Sequence, residues 1–198
     1  ATGLDLSPSY TEAARKRLQI LLAASGGRVA LQVGRQAKDH YGRTLAHAYD
    51  SLGRNLEAQL LAEGLAYRVA VAPNLALVQC QLAAERSARQ ARLGLWQRSP
   101  VKTPAQLTQG GFALLEGRIK RIERNGGGMW LEMGDGLVLH IARRALGDFD
   151  LRAVQRLEGR KVEARGWVID RATRGGLGKG QARWMLPLTD KTMLEVLP

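Results

Sequence analysis

Residues 39–43, with the sequence DHYGR, bring a histidine, a tyrosine and an arginine together in one short polar segment. Aspartate and glycine at these positions are typical of a turn. The guanidinium of Arg43 can donate two parallel hydrogen bonds to phosphate oxygens, and it can stabilise the extra charge of a pentacoordinate phosphorus. The segment therefore predicts phosphate recognition, and the alternative is that Arg43 is an ordinary surface arginine in a turn.

The elements around this turn are two strands, a second turn and a helix. Residues 44–49 alternate between apolar and small or polar side chains, as a half-buried strand does, and residues 28–33 also alternate. We expect these two strands to pair. From Asn55 the apolar period becomes helical, with Asn55 as the candidate N-cap and Gly64 placed to end the helix in a left-handed conformation.

This block resembles the staphylococcal-nuclease-like (thermonuclease) family, in which a DxYGRxLAxxY segment, a helix and a Gly-Leu-Ala segment follow one another. The resemblance covers about residues 8–97, roughly half of the chain. It rests on matches at Tyr41-Gly42-Arg43, Leu45-Ala46, Tyr49, Leu60, Gly64-Leu65-Ala66 and Gly94-Leu95-Trp96. The fold that it implies is α+β and mainly β: an OB barrel of three strands, a helix and two strands, followed by helices.

Because the family hydrolyses nucleic-acid phosphodiester bonds with calcium, the resemblance implies a nuclease whose partner is DNA or RNA and whose cofactor is calcium. It assigns to Arg43 the catalytic role of a phosphate-binding arginine. Tyr41 matches a tyrosine of the nucleotide site, with core packing as the alternative. His40 stands where the family often has a basic residue, either as a weak phosphate contact or as a spectator. A secreted or periplasmic location is also implied.

The calcium site and the water-activating carboxylate are the parts of this chemistry that the sequence does not show. Calcium needs several oxygen ligands, and only Asp5 stands where a metal aspartate would be, without a glutamate nearby. The family's Asp-Thr-Pro-Glu segment and its first arginine have no match. We therefore expect this 198-residue chain to hydrolyse DNA and RNA very slowly or not at all. Whether it is an enzyme stays open, and the alternative is a non-catalytic nucleic-acid-binding module of two OB-type domains.

Part of the nuclease-like barrel is also missing from the predicted elements. The first helix, opened by Pro8, corresponds to the helix between barrel strands three and four, so that the N-terminal strands are not found. Either the sequence is a fragment without those strands, or another chain or segment completes the barrel. We favour the fragment, because a two-stranded sheet would leave a wide apolar face exposed.

The composition changes in the middle of the chain. Residues 99–111 contain two prolines and a glycine pair and read as a linker between a nuclease-like domain at 1–98 and a second domain at 112–198. The second domain alternates in the manner of short strands. We predict strands at 112–124, 129–133, 137–142, 161–169 and 183–188 and a helix at 149–157 with Asp148 as its cap. This order predicts a five-stranded OB-like barrel.

Two features of the second domain predict contact with nucleic acid. Trp130 lies on a predicted strand, as do Trp167 and Trp184, and an exposed tryptophan can stack on a base for about 1–3 kcal/mol. Lys179 lies in a basic, glycine-rich loop at 171–181, where OB folds meet oligonucleotides. The alternatives are core packing for the tryptophans and an idle hairpin for the loop. The loop lacks the Ser/Thr and the glycine spacing of a nucleoside-triphosphate site.

The charge of the chain is consistent with a polyanionic partner. Its 30 Lys+Arg residues against 18 Asp+Glu residues give a net charge of +12. Arginines bind phosphate in a forked geometry and release counterions when they do so. The alternative is that the charge only keeps the protein from associating. The single cysteine and the three histidines show no zinc spacing, and no apolar stretch is long enough to span a membrane.

Overall fold

The computed structural model describes residues 8–173, 177–178 and 180–198. These residues form two compact units that divide between Ser99 and Pro100. Asp5 and Lys179, two of the predicted site residues, lie outside the described residues. No helix in the described part of the chain is both long enough and apolar enough to cross a membrane.

The first unit combines three α-helices with a two-stranded antiparallel sheet. The elements are α1 (Pro8–Ala24), β1 (Ala30–Lys38), β2 (Thr44–Tyr49), α2 (Leu56–Ala62) and α3 (Val78–Gln90). The predicted pairing of the two strands is confirmed. The buried apolar residues of this unit are Leu21, Leu56, Leu61, Ala70, Val78, Ala88, Leu95 and Trp96.

Both predicted ends of α2 are confirmed. The side-chain oxygen of Asn55 accepts a hydrogen bond from the Ala58 amide at 2.8 Å, so Asn55 is the N-cap. Gly64 follows the helix with φ +69°, the left-handed conformation that ends helices. Local backbone chemistry thus fixes where this helix begins and ends.

The apolar side chains of β1 are exposed. Leu31 keeps 60% of its surface accessible, and Val29 and Val33 are exposed as well. The alternation of residues 28–33 correctly predicts a strand whose apolar residues share a face. That face is uncovered among the described residues, as expected for a sheet of only two strands.

The second unit is built on a mixed sheet of eight strands. Its elements are β3 (Val101–Lys102), β4 (Gly111–Arg118), β5 (Arg121–Asn125), β6 (Gly128–Gly134), β7 (Leu137–Ala142), α4 (Leu151–Gln155), β8 (Lys161–Asp170), β9 (Trp184–Pro187) and β10 (Leu194–Val196). The hydrogen-bonded order is β3-β4-β8-β9-β7-β6-β5, and β10 pairs with β8. The predicted helix is shorter than expected, and its cap is Asp150 rather than Asp148.

The neighbour order is OB-like, as predicted, but no closed barrel of five strands is found among the described residues. The predicted strand 112–124 is two strands, β4 and β5, which do not pair with each other. The break lies at residues 119–120, where the Ile119 amide donates to the Arg160 carbonyl and the Lys120 amide donates to the Glu132 carbonyl. The chain changes partner there, so β4 pairs with β8 while β5 pairs with β6.

Part of the stretch predicted as a linker has regular structure. Val101 and Lys102 form β3, which pairs in parallel with Leu114 and Leu115 of β4. The 3-10 turn Pro104–Gln106 follows, with a capping box. The linker at 99–111 stays a prediction, and within it Pro104 opens a capped turn, as a proline at the first position of a helical turn does.

The core of the second unit lies between its strands and α4. Three leucines, Leu131, Leu139 and Leu186, are fully buried and stand side by side on β6, β7 and β9. Trp184 is also buried in this core, so packing rather than stacking on a base is its role. Trp130, the candidate binding residue on β6, is only partly buried.

Candidate nucleic-acid interface

One carboxylate closes the DHYGR turn. Asp39 Oδ1 accepts hydrogen bonds from the amides of Tyr41 and Arg43, both at 2.9 Å. The Asp39 amide donates to the Arg43 carbonyl, and the Gly42 amide donates to the Asp39 carbonyl, each at 3.0 Å. Gly42 has φ +80°, which an L-residue rarely adopts. The turn is therefore held in one conformation by its own residues.

The same carboxylate orients Arg43. Nε of Arg43 donates to Asp39 Oδ2 at 2.5 Å, while the arginine side chain stays 73% exposed. Within the described residues, the two terminal nitrogens of this guanidinium make no hydrogen bond. Asp39 thus fixes one edge of the guanidinium and leaves its terminal N–H groups accessible to an anion from solvent.

One aromatic ring lies beside the guanidinium, and a second lies against the first. The Tyr41 ring centroid lies 5.2 Å from Cζ of Arg43 and 3.8 Å from the His40 ring. Tyr41 is 73% exposed, which excludes core packing. An exposed ring beside a guanidinium offers a surface on which a base can stack. The structure thus brings together three of the predicted site residues.

The pKa of Asp39 is lowered from its ordinary value. Partial burial of this carboxyl would raise its pKa, but hydrogen bonds from the Arg43 amide and guanidinium and from the Tyr41 amide outweigh the burial. A depressed carboxyl pKa stabilises the turn above the unfolded-state value of about 4, and this stability is lost as the pH falls through the lower folded value. Asp39 is therefore ionised, and able to hold Arg43, at neutral pH.

The described residues do not fit a calcium site. They contain no group of three or more His, Cys, Asp or Glu residues that could hold a metal ion. Asp39, the carboxylate nearest to Arg43 in sequence, is engaged by that arginine. Asp5, the predicted metal ligand, lies outside the residues that the structure describes.

Trp130 lies in the second unit, in a cluster that sequence reasoning found only in part. Its ring stacks on His140 with centroids 3.8 Å apart and planes 18° apart, and the two residues face each other on β6 and β7. Nε1 of Trp130 donates to Asn125 Oδ1 at 3.0 Å. The guanidinium of Arg171 lies 5.9 Å from the Trp130 ring. Strand register, which the sequence does not specify, creates this grouping.

His140 is uncharged in this cluster at neutral pH. Burial lowers its pKa, and the nearby Arg171 lowers it further, while the hydrogen bond to the Gly127 carbonyl acts in the opposite direction. The cation beside Trp130 is therefore Arg171. A half-buried tryptophan with a cation beside it is an arrangement found where single strands bind.

The first unit corresponds to a known protein family. Residues 6–98 match the family described as staphylococcal nuclease homologue. The first unit is staphylococcal-nuclease-like. A search of curated proteins gave no match. The family match confirms the resemblance that the DHYGR block predicts, and it supports a nuclease-like or nucleic-acid-binding role for this nuclease-like unit.

Proposed function

We propose that this protein binds nucleic acid through the DHYGR turn of its nuclease-like unit. The observation that carries the proposal is the Arg43 guanidinium, which is fixed at Nε by Asp39 and yet largely exposed. A pre-oriented guanidinium loses less side-chain entropy on binding a phosphate than a free one does. The Tyr41 ring lies beside this guanidinium and the His40 ring lies against Tyr41, so both rings are proposed to stack on bases.

The proposed partner is single-stranded DNA or RNA. The net charge of +12 favours any polyanion. The exposed Tyr41 ring favours an unpaired base over a duplex, because only an unstacked base offers its face to an aromatic side chain. Trp130 and Lys179 are proposed as further contacts in the second unit. A secreted or periplasmic location is proposed on the family similarity alone.

Arg43→Gln is expected to weaken binding and to flatten its salt dependence. The affinity for fluorescein-labelled dT12, followed by fluorescence anisotropy, should fall linearly in log–log form as salt rises. The slope is negative, and loss of one phosphate contact reduces its magnitude by about 0.7 for a single strand. Arg15→Gln, on the exposed face of α1, removes the same charge from a residue paired with Glu12 and serves as the control. A wild-type affinity that does not change with salt would contradict the proposal.

Calcium-dependent hydrolysis of phosphodiester bonds is the second candidate function. The similarity of residues 6–98 to staphylococcal nuclease homologues favours it, and Arg43 would then bind the phosphate that is cleaved and offset its developing charge. Since the described residues do not fit a calcium site, we derive no step through the metal.

The two functions are separated by a cleavage assay on single-stranded DNA with and without calcium. We expect no cleavage above the rate of a buffer control, and binding that is the same in calcium and in EDTA, because the proposed contacts come from side chains alone. Calcium-dependent cleavage that Arg43→Ala abolishes would instead establish the hydrolase. The Arg15→Gln variant again controls for loss of charge.

A further inference from the structure

A second turn in the nuclease-like unit has the same construction as the first. Residues 50–54, DSLGR, repeat the Asp-x-x-Gly-Arg pattern of residues 39–43. Asp50 Oδ1 accepts from the amides of Leu52 and Arg54, at 3.0 and 2.8 Å. The Asp50 amide donates to the Arg54 carbonyl, and the Gly53 amide donates to the Asp50 carbonyl. Gly53 has φ +74°.

Arg54 has the environment of Arg43. Its Nε donates to Asp50 Oδ2 at 2.7 Å, and its side chain is 57% exposed. Within residues 8–173, 177–178 and 180–198, its terminal nitrogens make no hydrogen bond. Burial would raise the pKa of Asp50, but hydrogen bonds from the Arg54 amide and guanidinium and from the Leu52 amide lower it below its usual range. The carboxylate is therefore ionised and holds the guanidinium by one edge.

The second turn is also fixed to the helices around it. The Ser51 amide donates to Ser25 Oγ at 2.7 Å, just beyond the end of α1. Gln59 of α2 reaches Asp50 Oδ2 at 3.5 Å. The turn that carries Arg54 is thus attached to neighbouring elements by more hydrogen bonds than the turn that carries Arg43.

We propose that Arg54 is a second phosphate-binding residue, so that β2 has a phosphate site at each end. The inference rests on the proposed function and extends it to a second contact. Arg43 directly precedes β2 and Asp50 directly follows it, so at about 3.3 Å per residue the two turns are about 23 Å apart. At the 3.4 Å spacing of a stacked strand in B-form DNA, this distance spans about seven phosphates, and a more extended single strand spans it with fewer. One oligonucleotide strand of that length reaches both arginines.

The two turns differ in what they offer besides the guanidinium. Where the first carries His40 and Tyr41, the second carries Ser51 and Leu52. Leu52 is 75% exposed and aliphatic, so the second turn has no ring on which a base can stack. Its contact is therefore to the sugar-phosphate backbone alone and is independent of base sequence.

Arg54 also neutralises Asp50, a carboxylate with only 3% side-chain exposure, and a test must separate this role from phosphate binding. Leu52→Glu does so. Leu52 donates its backbone amide to Asp50, and its side chain is 75% exposed. In the first turn the corresponding residue, Tyr41, lies 5.2 Å from the arginine Cζ. A glutamate at position 52 therefore places a negative charge beside Arg54 and leaves the pair with Asp50 in place.

The experiment measures the salt dependence of dT12 binding for the whole chain, by fluorescence anisotropy. We expect Arg54→Gln and Leu52→Glu each to reduce the magnitude of the slope by about 0.7. Over a tenfold change in salt, the affinity of each variant then changes by about fivefold less than that of the wild type. Leu52→Gln introduces a side chain of the size of glutamate without its charge, and this variant should retain the wild-type slope. Thermal melting followed by circular dichroism shows whether each variant is folded. If Arg54→Gln does not fold, the slope of Leu52→Glu alone decides whether Arg54 binds phosphate.

The outcomes separate this inference from the function on which it rests. A wild-type slope for Leu52→Glu, together with a reduced slope for Arg43→Gln, would overturn the second site and leave the proposed function standing. Equal slopes for wild type and Arg43→Gln, or no salt-dependent binding at all, would contradict the proposed function itself. A reduced slope for Arg43→Gln and for Leu52→Glu, with Leu52→Gln unchanged, supports both sites.

Discussion

Gly64→Ala is expected to destabilise the nuclease-like unit by about 2–5 kcal/mol, combining left-handed backbone strain with overpacking. Gly64 has φ +69°, and a Cβ at this position would lie 2.3 Å from the carbonyl oxygen of Leu93 and 2.7 Å from its carbon. Both are backbone atoms, which cannot rotate away as the end of a side chain would. The Leu95 amide also donates to the Gly64 carbonyl at 2.8 Å, so the two segments cannot separate without losing a hydrogen bond.

Gly26→Ala is the matched control for this prediction. Gly26 has φ +64°, nearly the same as Gly64, but no atom lies within 4 Å of the position its Cβ would take. The control therefore measures the backbone strain alone, about 1–2 kcal/mol. Urea denaturation followed by circular dichroism at 222 nm gives both free energies of unfolding. Equal losses for the two variants would show that the contact with Leu93 contributes nothing.

The sequence predicts the ends of α2 because capping is local. Asn55 and Gly64 carry their own signals, an amide side chain that can accept from the first turn and a residue that tolerates positive φ. The packing of Gly64 against Leu93 cannot be predicted in this way, since the two residues are far apart in sequence and their approach depends on how α2 and α3 pack.

In the second unit, alternation and turn residues are enough to predict most of the strands. They are not enough to predict the change of partner at Ile119 and Lys120. The core-facing residues are Ala113, Leu115 and Ile119 up to the bend and Ile122 after it, so the buried face moves from odd to even positions there. The continuous apolar run at residues 112–115 hides this change of face, because such a run does not show which of its residues face the core.

The candidate site is predictable to the extent that it lies in one segment. Residues 39–43 are contiguous, so their types and spacing are enough to indicate phosphate chemistry. The hydrogen bond from Nε of Arg43 to Asp39 depends on the conformation of the turn, which the residue types alone do not specify. The repeat at Asp50 and Arg54 is visible in the sequence as a second Asp-x-x-Gly-Arg. Only the hydrogen bonds from the Arg54 amide and Nε to Asp50 show that the two turns are built in the same way. The pairing of Trp130 with His140 requires the register of β6 and β7.

Leu139→Ala is expected to lower the free energy of unfolding of the second unit by about 2–5 kcal/mol. Leu139 is fully buried at the centre of β7, with Leu131 of β6 on one side and Leu186 of β9 on the other. These neighbours lie on strands that are hydrogen-bonded to β7, so they cannot move inward to fill the space left by the missing carbons. The cost is then the lost burial together with a cavity that stays open.

The control for this variant is Val196→Ala on β10, where the side chain is exposed and removal of its methyl groups leaves no cavity. We expect that change to stay within about 0.5 kcal/mol, as is usual for surface positions. Denaturation of both variants, followed by tryptophan fluorescence, measures the difference, because Trp184 lies in the same core as Leu139. A loss below about 1 kcal/mol for Leu139→Ala would mean that β6, β7 and β9 do not pack side by side as described. In a rigid leucine core, a cavity of that size costs more free energy than this.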